Sequence, residues 1–273
     1  MQGNPDPKPK LLRAARDIDP RTLYRAIGAD KVAWNIVKKT DKGKTEIGIV
    51  PYPAGRETGV VLKSWYCTTG AAVVKAKIGL TQAQRQWRGA MLVNNAGIAT
   101  SLPMAMWLVK QPGKGQVVVA AFRLLPGEDL MNVLARSELS SKAARAAGRL
   151  TAKLCLAGLF NRDHKPSNII LTDEGKMGLI DTVGIRRAKC RCRFTGGKMP
   201  GKRLVPRMLA SLVTEPLGLG LLPRRTQLLR GLLSFASACG MKKEEVKTAW
   251  KQVEILVREH GDATPVDNPL KSG

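Results

Sequence analysis

Acidic and aromatic residues are scarce in this chain. Asp and Glu number 21 against 46 Lys and Arg, a formal net charge of +25, and Phe, Trp and Tyr together make up 4%. So few aromatics leave no stacking platform of the kind on which single-stranded nucleic acid is read, so nucleic acid has only charge in its favour as a partner. The cation excess predicts affinity for something polyanionic, and an anionic membrane surface or a phosphorylated glycolipid fits it as well. No apolar run approaches the ~20 residues that a membrane span needs, and Met1–Lys10 is polar and proline-rich, with no apolar signal region. The cysteines at 67, 155, 190, 192 and 239 are odd in number and scattered, which argues against a disulfide framework and for a reducing compartment. The expected location is the cytoplasm, with peripheral contact at the inner membrane left open.

The chain does carry one stretch dense in chemistry, Asn161–Gly184, NRDHKPSNIILTDEGKMGLIDTVG. Asp163 lies five residues before Asn168, and Asp181 lies thirteen after it. Two short apolar runs, Ile169–Leu171 and Met177–Ile180, flank the turn Thr172-Asp173-Glu174-Gly175 and predict a small hairpin. Its ends meet, so Asn168 and Asp181 are expected side by side, with Asp163 just beyond them. Two oxygen ligands and a carboxylate base converging in this way suit phosphoryl transfer. Mg2+ would take oxygens from Asn168 and Asp181, and Asp163 would receive the proton of an attacking hydroxyl. A lone D-x-x-x-x-N is common by chance. The two spacings, the hairpin between them and the helical pattern in front argue against chance together.

These residues resemble the catalytic and metal loops of protein-kinase-like enzymes, H-R-D-x-x-x-x-N followed by D-F-G. Arg162, Asp163, Lys165, Pro166 and Asn168 stand where that pattern has them. Asn161 replaces the usual His, and Asp181-Thr182-Val183 replaces D-F-G, with Gly184 one place late. Within the superfamily the stretch looks most like the compact bacterial kinases of the lipopolysaccharide core, the heptose/Kdo kinase group. The resemblance implies an α+β, two-lobed protein-kinase-like fold with a small antiparallel-sheet N-lobe and a short helical C-lobe. It also implies ATP and Mg2+ as cofactors, and a role for Lys165 in steadying the transferring phosphoryl group.

The rest of the chain is laid out on that expectation. Residues 1–30 form an N-terminal extension without an assigned role, 31–124 the N-lobe, 125–265 the C-lobe and 266–273 a tail. In the N-lobe, Val32–Lys38, Thr45–Tyr52 and Gly59–Tyr66 read as strands, with a hairpin turn at Thr40–Lys44. The resemblance places Lys63 on the third strand against the ATP phosphates and Gly43 in the phosphate-covering loop, although one glycine stands where the family has three. The helix Thr81–Asn94 offers Gln86 where relatives have a glutamate. Glutamine can hydrogen-bond Lys63 but cannot neutralise it. Strands Ala105–Val109 and Gln116–Leu124 lead to an interlobe hinge, with adenine against the backbone of about Ala121–Arg123.

Ser140–Phe160 reads as a capped amphipathic helix that runs into the catalytic loop. Ile185–Arg207 holds nine Lys and Arg and no acid, a segment suited to attract an anionic acceptor, a glycolipid or phosphorylated sugar. As a solvated charge run it would do nothing of the kind. Val205–Thr214, Pro223–Cys239 and Lys242–His260 read as helices. Three functions stay open at this point: phosphorylation of a lipopolysaccharide core sugar, a protein Ser/Thr kinase, and a pseudokinase that binds nucleotide or a polyanion without catalysis. Gln86, the missing glycines and the altered D-F-G motivate the last. The absence of an A-P-E signature weighs against the second.

Overall fold

Alternating apolar residues and a few well-placed caps set the framework. The computed structural model describes residues 9–27, 35–39, 45–50, 59–111, 115–136, 140–188, 204–221 and 223–260. The chain begins with β1 (Lys10–Ala14), α1 (Pro20–Ala26), β2 (Asn35–Lys39), β3 (Thr45–Val50), β4 (Val60–Cys67), α2 (Gly70–Lys77) and α3 (Gln82–Asn95). Next come β5 (Ala99–Thr100), β6 (Pro103–Gln111), β7 (Gly115–Arg123), β8 (Glu128–Asp129), α4 (Leu130–Ala135) and α5 (Ser141–Leu156). The last elements are β9 (Leu159–Asn161), β10 (Ile169–Leu171), β11 (Met177–Leu179), β12 (Ile185–Arg187), α6 (Leu204–Gly218), α7 (Arg225–Ala238) and α8 (Lys243–His260). Two compact units result. One is residues 1–91 with 101–124, and the other is 92–100 with 125–273.

The first unit is built on an antiparallel sheet of order β1-β6-β7-β4-β3-β2. Period-two alternation sends Leu62, Trp107, Val117 and Val119 to one face, where Leu23, Tyr24 and Ile27 of α1 cover them. Tyr24 meets Trp107 edge-on, with ring centroids 5.3 Å apart. Met106, Val118, Ala120 and Phe122 go to the other face, under Ala76 of α2 and Ala83 and Trp87 of α3. The segment left without a role in the sequence is therefore part of this sheet. β1 pairs with β6, and α1 is started by the Asp19 carboxylate, which accepts the N–H groups of Arg21 and Thr22. α2 was not expected. The turn expected at Thr40–Lys44, with Gly43, lies outside the described residues.

The second unit holds the expected hairpin as β10 and β11, inside a four-stranded sheet of order β5-β11-β10-β8. The helix predicted over Ser140–Phe160 ends at Leu156. Gly158 then takes φ 67°, and the chain leaves as β9, because a left-handed glycine ends the helix at low cost. Most of the basic segment, residues 189–203, lies outside the described residues.

α5 is the core helix of this unit. Ala147, Leu150 and Leu154 face one apolar cluster with Ile169 and Leu179, while Ala152 and Cys155 face another with Met208 and Phe235. α5 and α7 touch through glycines. A Cβ placed on Gly148 would stand 2.1 Å from the Gly231 carbonyl oxygen. Helix propensity favours alanine over glycine by about 1 kcal/mol, but a backbone clash of this kind outweighs it. Gly148→Ala should lower unfolding free energy by about 2 kcal/mol, the ordinary cost of overpacking, as read by chemical denaturation.

Candidate active site

The loop between β9 and β10 is shaped by contacts that the unusual residues make. Asn161, which stands in place of the His, is buried, and its Oδ1 accepts the Asp163 N–H at 3.1 Å. Arg162 N–H donates to the Gly184 carbonyl at 3.1 Å, and β12 pairs with β9, Ile185 opposite Asn161. A Cβ on Gly184 would lie 2.9 Å from Asn161 Oδ1 and 3.0 Å from the Asp163 nitrogen. The late glycine thus leaves room for the Asn161 bond, and the two departures from the kinase pattern meet in one contact.

A single 3-10 turn, Pro166–Asn168, then carries the chain into β10. Asn168 is buried, and its Nδ2 donates both to the Asp163 carbonyl at 3.0 Å and to Asp163 Oδ2 at 3.2 Å. The hairpin register sets Ile169 opposite Leu179, and Ile180 N–H donates to the Asn168 carbonyl at 3.1 Å. Asp181 therefore follows a residue tied to Asn168. Its Oδ1 accepts the Val183 N–H at 3.3 Å. The strand end is held from the other side, where the Thr100 hydroxyl donates to the Leu179 carbonyl at 2.7 Å.

The donor set fits a hard cation. Nδ2 of Asn168 is engaged, so a cation held here would take Asn168 through Oδ1 and Asp181 through Oδ2. Among the described residues no three His, Cys, Asp or Glu side chains group to hold a metal.

Glu215 on α6 was missed by sequence reasoning. Its carboxylate accepts the Ser167 N–H at 2.9 Å and the Ser167 hydroxyl at 2.7 Å, and lies 3.5 Å from Lys165 Nζ. The same ammonium is 3.9 Å from Asp163 Oδ1. Lys165 is thus shared by two carboxylates, one from the loop and one from a helix nearly fifty residues on.

His164 braces the loop from below. The Thr151 hydroxyl donates to the Ala147 carbonyl at 3.0 Å, so its oxygen accepts from His164 Nε2 at 2.9 Å. Nε2 then carries the proton. Nδ1 is buried without a hydrogen-bond partner among the described residues, as is Asn161 Nδ2. Complete burial pushes the imidazole down from 6.5 to about 4.

The remaining expected residues belong to the first unit. Lys63 on β4 is 8% exposed and Gln86 on α3 is 1% exposed, and each is engaged by a neighbouring group. Ala121 is fully buried in β7, opposite Leu62 of β4 and Ala105 of β6. Arg123 N–H donates to the Leu102 carbonyl at 2.8 Å, and its side chain reaches Asp17 at 3.2 Å.

No family model matches the sequence, and no curated protein matches it. Solved structures do. WaaP in complex with acyl carrier protein is similar over 90% of this chain and 98% of that one, with TM-score 0.59 and 16% identity. The bifunctional kinase-methyltransferase WbdD matches over 80% of this chain and 48% of that chain, at TM-score 0.48 and 15% identity. A rhoptry antigen kinase domain from Toxoplasma gondii matches over 82% of each chain, at TM-score 0.45 and 14% identity. The chain has a protein-kinase-like fold of mixed helices and antiparallel sheet. No helix among the described residues is long and apolar enough to cross a membrane.

The buried imidazole gives a pH prediction. Unfolded, His164 titrates near 6.5, and folded near 4. Between those values the unfolded chain binds the extra proton, so stability is whole above pH 6.5 and falls as pH drops towards 4, by on the order of 3 kcal/mol. Denaturation of wild type and His164→Gln across this window should show a shallower slope in the variant.

Proposed function

We propose that this protein is an ATP-dependent phosphotransferase with a hydroxyl acceptor. The observation that carries the reading is the Asn168 amide bound to Asp163, on a hairpin whose register brings Asp181 to the same end. Asp163 orients the acceptor hydroxyl and takes its proton, and its half-exposed carboxylate can reach a substrate. Asn168 Oδ1 and Asp181 hold Mg2+, which when bound neutralises charge on the transferring phosphoryl group. Lys165 lies next to Asp163 and steadies that group, while Glu215 sets the position of Lys165. Lys63 takes the nucleotide's α- and β-phosphates, with Gln86 in the place of an acid. Gly43 keeps its expected role in covering the phosphates. Adenine lies against the backbone of about Ala121–Arg123.

The acceptor we favour is a sugar hydroxyl on an anionic glycolipid such as the lipopolysaccharide core. The charge of +25 supports it, and so does the acid-free segment after Asp181. A pseudokinase reading is favoured by the neutral Gln86 where an ion pair is expected, together with the missing glycines and the altered D-F-G.

Transfer from ATP to purified lipopolysaccharide, measured against protein substrates, separates the acceptors. Asp163→Ala and Asp181→Ala should each cut turnover by 100-fold or more. Asp181→Ala should in addition weaken ATP·Mg2+ binding, which Asp163→Ala should leave nearly intact. Wild type that binds ATP·Mg2+ but transfers nothing to any acceptor would decide for the pseudokinase.

A further inference from the structure

α2 packs on the sheet through Ala76 and the partly buried Val73, and the large apolar side chains at its C-terminal end face outward. A helix on a water-soluble surface turns its large apolar side chains inward. Here the one buried residue is the small Ala76, while Val74 and Ile78 are 56% and 62% exposed. Leu80, just past the helix, is 60% exposed. Among the described residues these are the most exposed large aliphatic side chains of the first unit, and they lie within seven residues of one another.

The chain around them is fixed. Leu80 N–H donates to the Lys75 carbonyl at 2.9 Å, Gln84 Nε2 donates to the Ala76 carbonyl at 3.3 Å, and the Arg88 guanidinium donates to the Gly79 carbonyl at 3.1 Å. Gly79 makes the turn with φ 84°. The apolar tip is therefore held out by the start of α3 and is not a frayed end.

A collar of cations surrounds it. Lys75, Lys77, Arg85 and Arg88 are all exposed, and none has a carboxylate partner among the described residues. No acid occurs anywhere between Glu57 and Glu128. A projecting group of three aliphatic side chains ringed by unpaired Lys and Arg matches the boundary layer of an anionic bilayer. There apolar groups sit among the acyl chains and cations meet phosphates. A nucleic acid would use the cations but has no place for the aliphatic tip.

We propose that the tip formed by Val74, Ile78 and Leu80, with its collar of Lys75, Lys77, Arg85 and Arg88, docks the protein on anionic phospholipid. The site is independent of the phosphotransfer chemistry and brings the enzyme to the surface where a glycolipid acceptor would be found.

Co-sedimentation of the full chain with vesicles tests it. Wild type should pellet with vesicles of phosphatidylcholine and phosphatidylglycerol and stay in solution with phosphatidylcholine alone. Ile78→Ser/Leu80→Ser and, separately, Lys75→Glu/Lys77→Glu should each weaken binding tenfold or more. Arg145→Glu/Arg149→Glu, two exposed cations on α5, makes the same change in net charge and should alter binding less than threefold. Unchanged thermal unfolding would show that the variants fold. The proposal is overturned if wild type ignores anionic vesicles, or if the serine variant binds as well as wild type. Equal loss in the α5 control would reduce the effect to overall charge. A wild-type dimer that the serine variant splits, with vesicle binding unchanged, would assign the tip to a second copy of the chain.

Discussion

A loop without helix or sheet pairing of its own has to be shaped by hydrogen bonds, since its backbone and buried polar side chains need partners. In the loop from Asn161 to Asn168 those bonds come from four directions. Gly184 takes the Arg162 N–H, Asn161 takes that of Asp163, Asn168 ties back to Asp163, and Glu215 takes both donors of Ser167. Beneath them His164 bonds to Thr151 of α5. Each group is short-range and directional, so removing one leaves a buried partner unsatisfied, which costs more than the bond itself gains.

The braces rest on α5, which is packed on two sides. Its small residues let it pack on two sides, towards the hairpin through Ala147 and Leu150 and towards α6 and α7 through Ala152 and Cys155. Gly148 allows the backbone of α7 to come within touching distance. The hydroxyl of Thr151 can fix His164 because the helix behind it is packed on two sides. The chain thus spends glycine and alanine where close approach is needed and keeps leucine for the faces that fill space.

Charge is distributed with similar economy. Of the few acids, Asp19 and Asp129 cap helices, Glu215 and Asp163 share Lys165, and Asp181 closes the turn towards Gly184. The cations outnumber the acids 46 to 21, and the 70 residues between Glu57 and Glu128 contain no acid. A surface of this kind keeps the molecule in solution by self-repulsion and holds it ready for polyanions.

The spacing of Asp163, Asn168 and Asp181, the hairpin between them and the helix before them were legible in the sequence. Each is a local pattern, in which turn residues and apolar periodicity settle the backbone. The edge strand β1 was not, because an edge strand is defined by its neighbour β6, some ninety residues away. α2 escaped notice since Val73 packs inward while Val74 and Ile78 face outward, so no single apolar stripe marks a buried face. Glu215 and Thr151 could not be assigned to the loop either. Nothing in a run of helical residues says which of them faces a loop that arrives from another part of the chain. Sequence determined which atoms could do chemistry and how far apart along the chain they stand. Only the tertiary structure decided which other side chains hold them there, because hydrogen bonds between distant segments depend on packing that no local pattern encodes.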